Sequence, residues 1–335
     1  MDGSRFKKLN FVLVGAGGMG QRWAGVLADY EEIVLQSIVD VDLKKAKAIA
    51  GKYKAAAYGK VEDILQDNDI DAAVIVLPNK FLAPTSKLFL EKGKHVLCEK
   101  PGAISVAELS KTVRIAEKNS CRYMVGFNHR FHPGLSEAKK LLAKGTIGNL
   151  LLVRARYGFG GRPGYEKEWR HNKSLSGGGE LIDQGIHLID LARWFMGDMK
   201  EVKGFTQKAF WKSRVEDNAF MLLKDKKGRV ASLHASWSDW RPIFSFEIFG
   251  TNGYLVVEGL GKKYGGREKL YIARRSASFG VGKEEVIEFD NNADNSLQRE
   301  LAEFIAAVRE KREPAPSVKD ALAALKIVEN VYQQN

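Results

Sequence analysis

The fold of this chain is decided by residues 10–20, NFVLVGAGGMG, where a short apolar run leads directly into a glycine-rich turn. The apolar run 10–14 predicts a strand, and residues 19–28 beyond the glycines predict a helix. A glycine-rich turn between a strand and a helix is typical of a phosphate-binding loop, because the free N–H groups and the positive end of the helix dipole attract anions.

The glycine spacing matches the pattern G-x-G-x-x-G. Gly15 would make the tight turn, Gly17 would admit a pyrophosphate to the backbone, and Gly20 would let helix and strand pack closely. The strand before the pattern and the helix after it support a dinucleotide site over a plain turn. The predicted phosphate loop comprises Gly15, Gly17, Gly18, Met19 and Gly20.

An acidic residue follows at the spacing of a ribose contact. Residues 33–39 predict a second strand that ends at Asp40, twenty residues beyond Gly20. A carboxylate there can accept a hydrogen bond from a ribose 2′-hydroxyl and would repel a 2′-phosphate. We therefore predict NAD as the cofactor, with NADP not excluded. The alternative is that Asp40 caps a helix.

Residues 1–127 predict a Rossmann domain, a doubly wound parallel sheet of the α/β class. Short β-rich runs alternate with helical patterns, which favours parallel strands joined by crossover helices. A capping box at Ser105 and Glu108 predicts the start of a further helix. The further strands are predicted at 72–77, 95–98 and 122–127, and the helices at 43–53, 61–66 and 80–92.

Residues 128–335 predict a second domain, of the α+β class, for substrate binding and oligomerisation. After a helix at 133–144 most segments alternate like strands of an antiparallel sheet, and Asn252-Gly253 is a hairpin signal. Three more helices are predicted at 181–195, 296–310 and 317–331. The strands are predicted at 150–157, 201–210, 219–223, 230–236, 244–249, 254–258, 269–272 and 285–289.

Composition narrows the class of protein. A chain of 335 residues with 44% hydrophobic and 28% charged residues is typical of a globular, two-domain protein. The net charge of +12 is scattered, without the aromatic-interleaved basic run that favours nucleic acid. No apolar run reaches the ~20 residues of a membrane span, and we expect no export signal. Cys98 and Cys121 are expected to be reduced thiols, which favours the cytoplasm.

Two further segments carry candidate catalytic residues. Lys100, in Glu99-Lys100-Pro101, follows the strand 95–98, and ligands of open α/β sheets bind beyond the carboxyl ends of strands. A lysine there can stabilise an alkoxide. The alternative is a surface lysine held by Pro101.

The second segment is 177–190, GGGELIDQGIHLID. Asp183 and His187 are four residues apart and share a helix face that Asp190 continues. A histidine beside a carboxylate can take a proton from an alcohol. The alternative is the polar stripe of an amphipathic helix. The six histidines are dispersed, so we expect no metal site, and no G-x-S-x-G motif supports serine-based hydrolysis.

Four ordered segments, residues 15–20, 99–101, 126–131 and 177–190, together resemble the Gfo/Idh/MocA oxidoreductases, which include glucose–fructose oxidoreductase and inositol dehydrogenase. The resemblance runs through nearly the whole chain. It implies an open sheet in the second domain and NAD(P)-dependent hydride transfer to or from a hydroxyl or keto carbon of a sugar, nucleotide sugar or cyclitol.

The resemblance also implies roles for single residues. His187 would be the acid/base, Asp183 would orient it, and Lys100 would bind the reacting oxygen. Further cofactor contacts would come from Pro78, Asn79, Glu99 and Lys100 itself. Leu77 and Leu82 stand where the family commonly has Thr and His. The predicted substrate contacts are Asn128, Arg130, Tyr165, Trp169 and Arg170, and the last three resemble members that act on nucleotide-linked or amino sugars.

Other expectations concern the substrate's charge and the assembly. An anionic substrate is suggested by Arg154, Arg156, Arg162 and Arg170, unless these pair with acids such as Glu166 and Glu168. A homodimer or homotetramer is expected through the second-domain sheet, whose aromatic strands would leave apolar residues to cover. The residues expected there are Trp237, Trp240, Phe244, Phe246 and Phe249.

Two rival functions remain open at this point. One is a glycoside lyase or hydrolase that uses NAD without net redox change, and the other is a non-catalytic dinucleotide sensor. The presence of Lys100, Asp183 and His187 argues against a sensor, because a sensor needs no proton relay.

Overall fold

The computed structural model describes residues 7–290 and 294–335, which fall into two compact units. The first unit takes the described residues up to Gly126 together with Leu297–Leu322. The second comprises Phe127–Ser296 and Ala323–Asn335.

The first part of the chain alternates strands and helices, with a single 3₁₀ turn at Val61–Asp63 where a short helix was predicted for 61–66. In chain order the elements are β1 (Leu9–Val14), α1 (Gly18–Ala28), β2 (Ile33–Val39), α2 (Leu43–Tyr53), β3 (Ala56–Tyr58), β4 (Ala72–Ile75), α3 (Asn79–Glu91), β5 (His95–Glu99), α4 (Val106–Lys118) and β6 (Tyr123–Gly126).

The rest of the chain is mostly strand, with helices near its start, middle and end. The elements are α5 (Pro133–Ala143), β7 (Leu150–Gly158), α6 (Lys173–Ser176), α7 (Ile186–Met196), β8 (Met199–Gln207), β9 (Asn218–Asp225), β10 (Val230–Ser236), β11 (Ile243–Gly250), β12 (Gly253–Leu260), β13 (Tyr264–Arg275), β14 (Val281–Glu288), α8 (Ser296–Arg309) and α9 (Val318–Gln333).

The sheet of the first unit is parallel and, among the described residues, has the order β3-β2-β1-β4-β5-β6. This confirms the doubly wound fold. The strand order reverses between β1 and β4, and a crevice at such a switch point is where open α/β sheets bind ligands. The sequence analysis missed β3, because three residues are too few to show an alternating pattern.

The sheet of the second unit is largely antiparallel, as predicted. Its order in the described part of the chain is β14-β13-β12-β11-β7-β10-β9-β8, with a parallel pairing between β7 and β10. The hairpin signal holds, since Gly250 of β11 pairs with Gly253 of β12. Burial alternates along β9, where Met221 and Leu223 are buried while Phe220 and Leu222 are exposed. One face of the sheet is therefore packed and the other is open.

The structure assigns residues 297–322 differently from the sequence division at 127/128. Phe304 of α8 packs edge-on against Phe11 of β1, with ring centroids 6.2 Å apart, and both side chains are fully buried. The apolar face of α8 thereby belongs to the core of the Rossmann sheet. The amphipathic pattern of residues 296–310 predicted a helix but did not indicate which sheet the helix covers.

Candidate functional site

The glycine loop after β1 has a close-packed inner side and an open outer side. A Cβ on Gly15, whose φ is +108°, would lie 2.1 Å from the carbonyl oxygen of Val76. A Cβ on Gly20 would lie 2.0 Å from the carbonyl oxygen of Gly15. At Gly17 and Gly18 an added Cβ would meet nothing within 4 Å. The loop therefore leaves room for a pyrophosphate at the N-terminus of α1, which is the fit that NAD requires.

Asp40 is tied to this loop. Its carboxylate accepts the N–H of Ala16 at 2.6 Å and the N–H of Asp42 at 2.8 Å. The capping of α2 belongs instead to Asp42, whose side chain accepts the N–H groups of Lys44 and Lys45. The alternative reading of Asp40 as a helix cap is therefore wrong, and its carboxylate lies beside the phosphate loop.

The other first-unit candidates lie at the carboxyl ends of β4 and β5. Pro78 precedes the first residue of α3, and Asn79 is almost fully buried. The Glu99 carboxylate accepts the Trp23 Nε1–H at 2.9 Å, and burial raises the pKa of Glu99. Glu99 thus joins β5 to α1, which favours a structural role. Lys100 follows it, partly exposed, at the same edge of the sheet.

In the second unit, Asp183 and His187 lie on consecutive helical segments. Asp183 belongs to a π-helical turn, Leu181–Gly185, and His187 lies in the first turn of α7. The π-turn interrupts the single helix predicted for 181–195. Asp183 Oδ2 accepts the Arg170 Nε–H at 3.2 Å. Burial alone would lower the pKa of Arg170, but the charges of Asp183, Tyr165 and Glu168 and the hydrogen bond to Asp183 together raise that pKa.

The imidazole of His187 is buried among other rings. The His129 ring stacks on it, with centroids 3.9 Å apart and planes inclined by 17°. Phe127 and Tyr157 meet it edge-on, at 6.0 Å and 6.4 Å. The sequence analysis did not select His129 as a functional residue, because nothing in the spacing of residues 129 and 187 links them.

Two tyrosines and a glutamine extend this region. Tyr157 and Tyr264 are in edge-to-face contact, with centroids 4.8 Å apart, and Gln184 Nε2–H donates to Tyr264 Oη at 3.3 Å. Burial, together with the charges of Asp183 and Glu180, raises the pKa of Tyr264 to about 12. Burial also raises the pKa of Tyr157 well above its usual value. Both phenols are therefore protonated donors at neutral pH, and the sequence analysis missed them.

The glycine run at 177–179 is held by a buried carboxylate. Glu216 Oε1 accepts the N–H groups of Gly179 and Leu181, at 3.0 and 3.2 Å, and the Tyr332 hydroxyl at 2.7 Å. A Cβ on Gly178 would lie 1.9 Å from Tyr332 Oη. The close approach that these glycines allow is thus to the protein's own Glu216 and Tyr332. We call Glu216, Tyr332 and the glycines Gly177–Gly179 the loop brace.

Several predicted substrate contacts occupy structural positions. The Arg130 guanidinium makes two hydrogen bonds with the buried Asp190, at 2.8 and 2.5 Å. Tyr165 is 1% exposed and packs against Phe159 and Trp237. These positions favour packing and ion pairing over ligand contact.

The other predicted substrate contacts are either partly exposed or hydrogen-bonded to another residue of the protein. Trp169 and Arg170 are partly exposed, and the Arg170 guanidinium lies 4.7 Å from the Trp169 ring centroid. Asn128 donates to Ser296 Oγ at 3.2 Å. Trp169 and Arg170 therefore remain the best-placed substrate candidates, next to Asp183.

Of the arginines expected to attract an anion, Arg154, Arg162 and Arg170 are paired with acids. Arg154 meets Glu247 at 2.6 Å, and Arg162 meets Glu168 at 2.5 Å. On β7, Arg154 alternates with buried residues such as Tyr157 and lies on the exposed face of the sheet. Arg156 shares that face. The sheet therefore separates these two arginines from the Tyr157–His187 side.

Across residues 7–290 and 294–335, no helix is long and apolar enough to span a bilayer. Within the same described ranges, no three or more His, Cys, Asp or Glu side chains are grouped so as to hold a metal ion.

Two family models match successive parts of the chain. The model described as an oxidoreductase family with an NAD-binding Rossmann fold matches residues 9–127, and the Gfo/Idh/MocA C-terminal domain matches residues 135–256. The chain belongs to the Gfo/Idh/MocA family of NAD-binding oxidoreductases. This confirms the family resemblance, the fold class, and the prediction of an NAD-dependent oxidoreductase.

Individual relatives are moderately similar. Levoglucosan dehydrogenase of Pseudarthrobacter phenanthrenivorans is 25% identical over 306 residues, covering 80% of this chain and 76% of the relative. Inositol 2-dehydrogenase of Rhizobium meliloti is 25% identical and covers 96% of this chain and 95% of its own length. A crystal structure of aldose–aldose oxidoreductase from Caulobacter crescentus, complexed with glycerol, superposes with a TM-score of 0.85 at 25% identity, covering 98% and 97% of the two chains.

Proposed function

We propose that this protein oxidises a secondary alcohol of a neutral sugar or cyclitol and passes the hydride to NAD. The observation that carries the proposal is the placement of His187 four residues after Asp183, with Asp183 held by Arg170 and His187 enclosed by rings. The names of the relatives support the substrate class, since they act on levoglucosan and inositol.

The cofactor would be held by the glycine loop and its neighbours. Gly17, Gly18 and Met19 would receive the pyrophosphate at the start of α1, and Asp40 would accept a ribose hydroxyl. Pro78 and Asn79, at the start of α3, lie at the same carboxyl edge of the sheet. Bound NAD supplies the hydride acceptor.

The chain's own residues would move the proton. Loss of a hydride from a carbinol carbon requires that the hydroxyl proton leave as well, and an alcohol is too weak an acid to lose it unaided. His187 would take this proton, and Lys100 would bind the reacting oxygen and stabilise its negative charge. Asp183 would favour the imidazolium form of His187, while Arg170 fixes the direction of the Asp183 carboxylate.

A neutral substrate fits better than an anionic one. Arg162 and Arg170 pair with carboxylates, and Arg154 and Arg156 lie on the exposed face of the sheet. A cation already matched by an acid attracts an anion weakly. Neutral polyols are instead bound by hydrogen bonds, which Trp169 Nε1–H, Gln184 and Tyr264 can supply.

We also propose that the protein is a cytoplasmic homodimer or homotetramer that associates through the exposed face of the second-unit sheet. The aromatic residues expected to be uncovered are mostly in the core: Trp237, Phe244 and Phe246 are buried. Other large apolar side chains lie on the exposed face instead, and patches of this kind mark interfaces. They include Phe205, Phe220, Leu222, Val230 and Leu152. A monomeric mass by light scattering would contradict this.

The test is a substrate panel of free sugars, anhydrosugars, inositols and their phosphorylated or nucleotide-linked forms, with NADH absorbance as the readout. We expect net NADH formation with at least one neutral polyol, and slower turnover of its phosphorylated form. Product formation without a net absorbance change would indicate the lyase alternative. NAD binding without turnover of any member of the panel would indicate a sensor.

A further inference from the structure

A second histidine is stacked on the proposed base. His129 lies in a 3₁₀ turn after β6, Asn128–Phe131, and His187 lies on α7. Both side chains are almost fully buried, at 4% and 5% exposure. Because Phe127 and Tyr157 close two other sides, the plane of the His187 ring is set by packing. The ring that covers the face of His187 is itself an ionisable imidazole.

A chain of hydrogen bonds fixes which nitrogen of His129 carries the proton. Ser296 Oγ–H donates to the Asp294 carboxylate at 2.6 Å, so its one proton is used there. Ser296 Oγ can then only accept from Asn128 Nδ2, which lies 3.2 Å away. This orients the Asn128 amide with Oδ1 towards His129 Nδ1, at 3.0 Å. His129 therefore carries its proton on Nδ1 when it is neutral.

Two stacked imidazoles resist double protonation. Two unit charges about 4 Å apart repel by about 4 kcal/mol at the effective dielectric of a partly buried site. The ring centroids of His129 and His187 are 3.9 Å apart. Groups that interact this strongly titrate as one coupled system. A proton on either ring therefore disfavours a proton on the other.

Other charged and titratable groups surround the pair. His132 meets His129 edge-on at 5.6 Å, and its Nδ1 lies 3.2 Å from the buried Glu268, which also accepts the Gly134 N–H. On the helix side, Asp183 is bound by Arg170, and Asp190 is bound by Arg130. Tyr157, with Tyr264 behind it, is protonated at neutral pH. Glu180 is a further buried carboxylate on that side, and its charge, like that of Asp183, contributes to the raised pKa of Tyr157. On this account the charge of Asp183 favours a first proton on the pair, and the stacked ring opposes a second.

We infer that His129 is a positioning residue that holds the ring plane of His187 and shares a single proton with it. The inference rests on the proposed role of His187. When the substrate O–H bond breaks, the proton forms an N–H bond on His187, and the hydride leaves to NAD. The neutral His129 ring then lies against the new imidazolium, where a π face stabilises a cation. A proton already on His129 would oppose that step.

The coupling can be measured without substrate. Full-length protein labelled with ¹⁵N in its histidine rings is titrated by NMR as wild type, as His129→Phe, and as the control His234→Phe. His234 lies on the opposite, exposed face of the sheet, stacked on Phe220. We expect neutral His129 in the Nδ1–H form and, in His129→Phe, a His187 titration midpoint about one pH unit higher than in wild type, because the competing ring is gone.

Three results would overturn the inference: His129 protonated on Nε2, a His187 midpoint that His129→Phe leaves unchanged, or the same shift in His234→Phe. Since no turnover is involved, these results do not depend on whether His187 is the base.

The positioning role of His129 is tested separately, by the kcat and NAD affinity of its variants. With levoglucosan or myo-inositol, whichever is oxidised faster, His129→Ala should lower kcat about ten- to a hundredfold, because the reacting ring loses its fixed geometry. NAD affinity should not change, and His129→Phe, which keeps the stacked ring, should restore most of kcat. If both His129 variants turned over substrate at the wild-type rate while His187→Ala was inactive, the inference would be overturned and the proposed function would stand. Normal turnover in His187→Ala would overturn the proposed function instead.

Discussion

The cofactor residues of the first unit come from one short stretch of chain, whereas the surroundings of His187 come from segments far apart in sequence. The glycine loop and Asp40 belong to the βαβ unit formed by β1, α1 and β2, and a single N–H from Ala16 joins them. His187 is packed by His129, and the loop that precedes it is held by Glu216 and Tyr332. A binding motif can therefore be local, while the setting of a catalytic side chain is assembled by the fold.

The largest expected effect comes from removing the charge of Asp183, which we propose stabilises the imidazolium of His187. Asp183→Asn keeps the shape of the side chain and removes its charge, so the imidazolium of His187 loses its stabilisation. We expect kcat to fall by about 10²-fold or more, with NAD affinity unchanged. Steady-state kinetics and fluorescence titration of NAD measure the two quantities.

A matched control for that variant is Asp198→Asn, which neutralises an exposed aspartate at the end of α7. Its kcat should equal that of wild type. An equal loss in both variants would mean that the effect is one of overall charge, and the role of Asp183 would have to be abandoned.

A smaller effect is expected from changing the loop brace, whose residues are far apart in the sequence. A Cβ at Gly178 would meet Tyr332 Oη at 1.9 Å, so Gly178→Ala should strain the loop before Asp183. We expect a loss of about 1–3 kcal/mol in the free energy of unfolding. Gly59→Ala, where the added methyl meets nothing within 4 Å, is the control. Chemical denaturation measures both, and equal stability in the two variants would show that the contact relaxes freely.

The smallest expected effect concerns Asp40, which lies close in sequence to the glycine loop. Asp40 should favour NAD over NADP, because its charge would repel a 2′-phosphate. We expect Asp40→Asn to reduce the ratio of kcat/KM for NAD to that for NADP by about tenfold. The loop should keep its shape, since an asparagine oxygen can still accept the Ala16 N–H. A wild-type preference for NADP would contradict the assignment.

The same contrast explains what could be predicted from the sequence. The glycine pattern, Asp40 and most strands follow from short-range spacing and alternation, and the structure places them as expected. The pairing of Arg130 with Asp190, the burial of Tyr165, and the stacking of His129 on His187 join residues distant in the chain. No local periodicity encodes these contacts. The place of α8 in the first unit was missed for the same reason, because an amphipathic pattern does not say which core it covers.

The central claim is that the first unit binds NAD while His187 moves the proton, and it is tested by two measurements on one pair of variants. NAD affinity and kcat at saturating NAD are measured for Asp40→Ala and for His187→Ala. The account predicts that Asp40→Ala weakens NAD binding but retains kcat, and that His187→Ala retains NAD affinity but loses about 10²–10⁴-fold in kcat. If folded His187→Ala turned over substrate at the wild-type rate, the account would be contradicted.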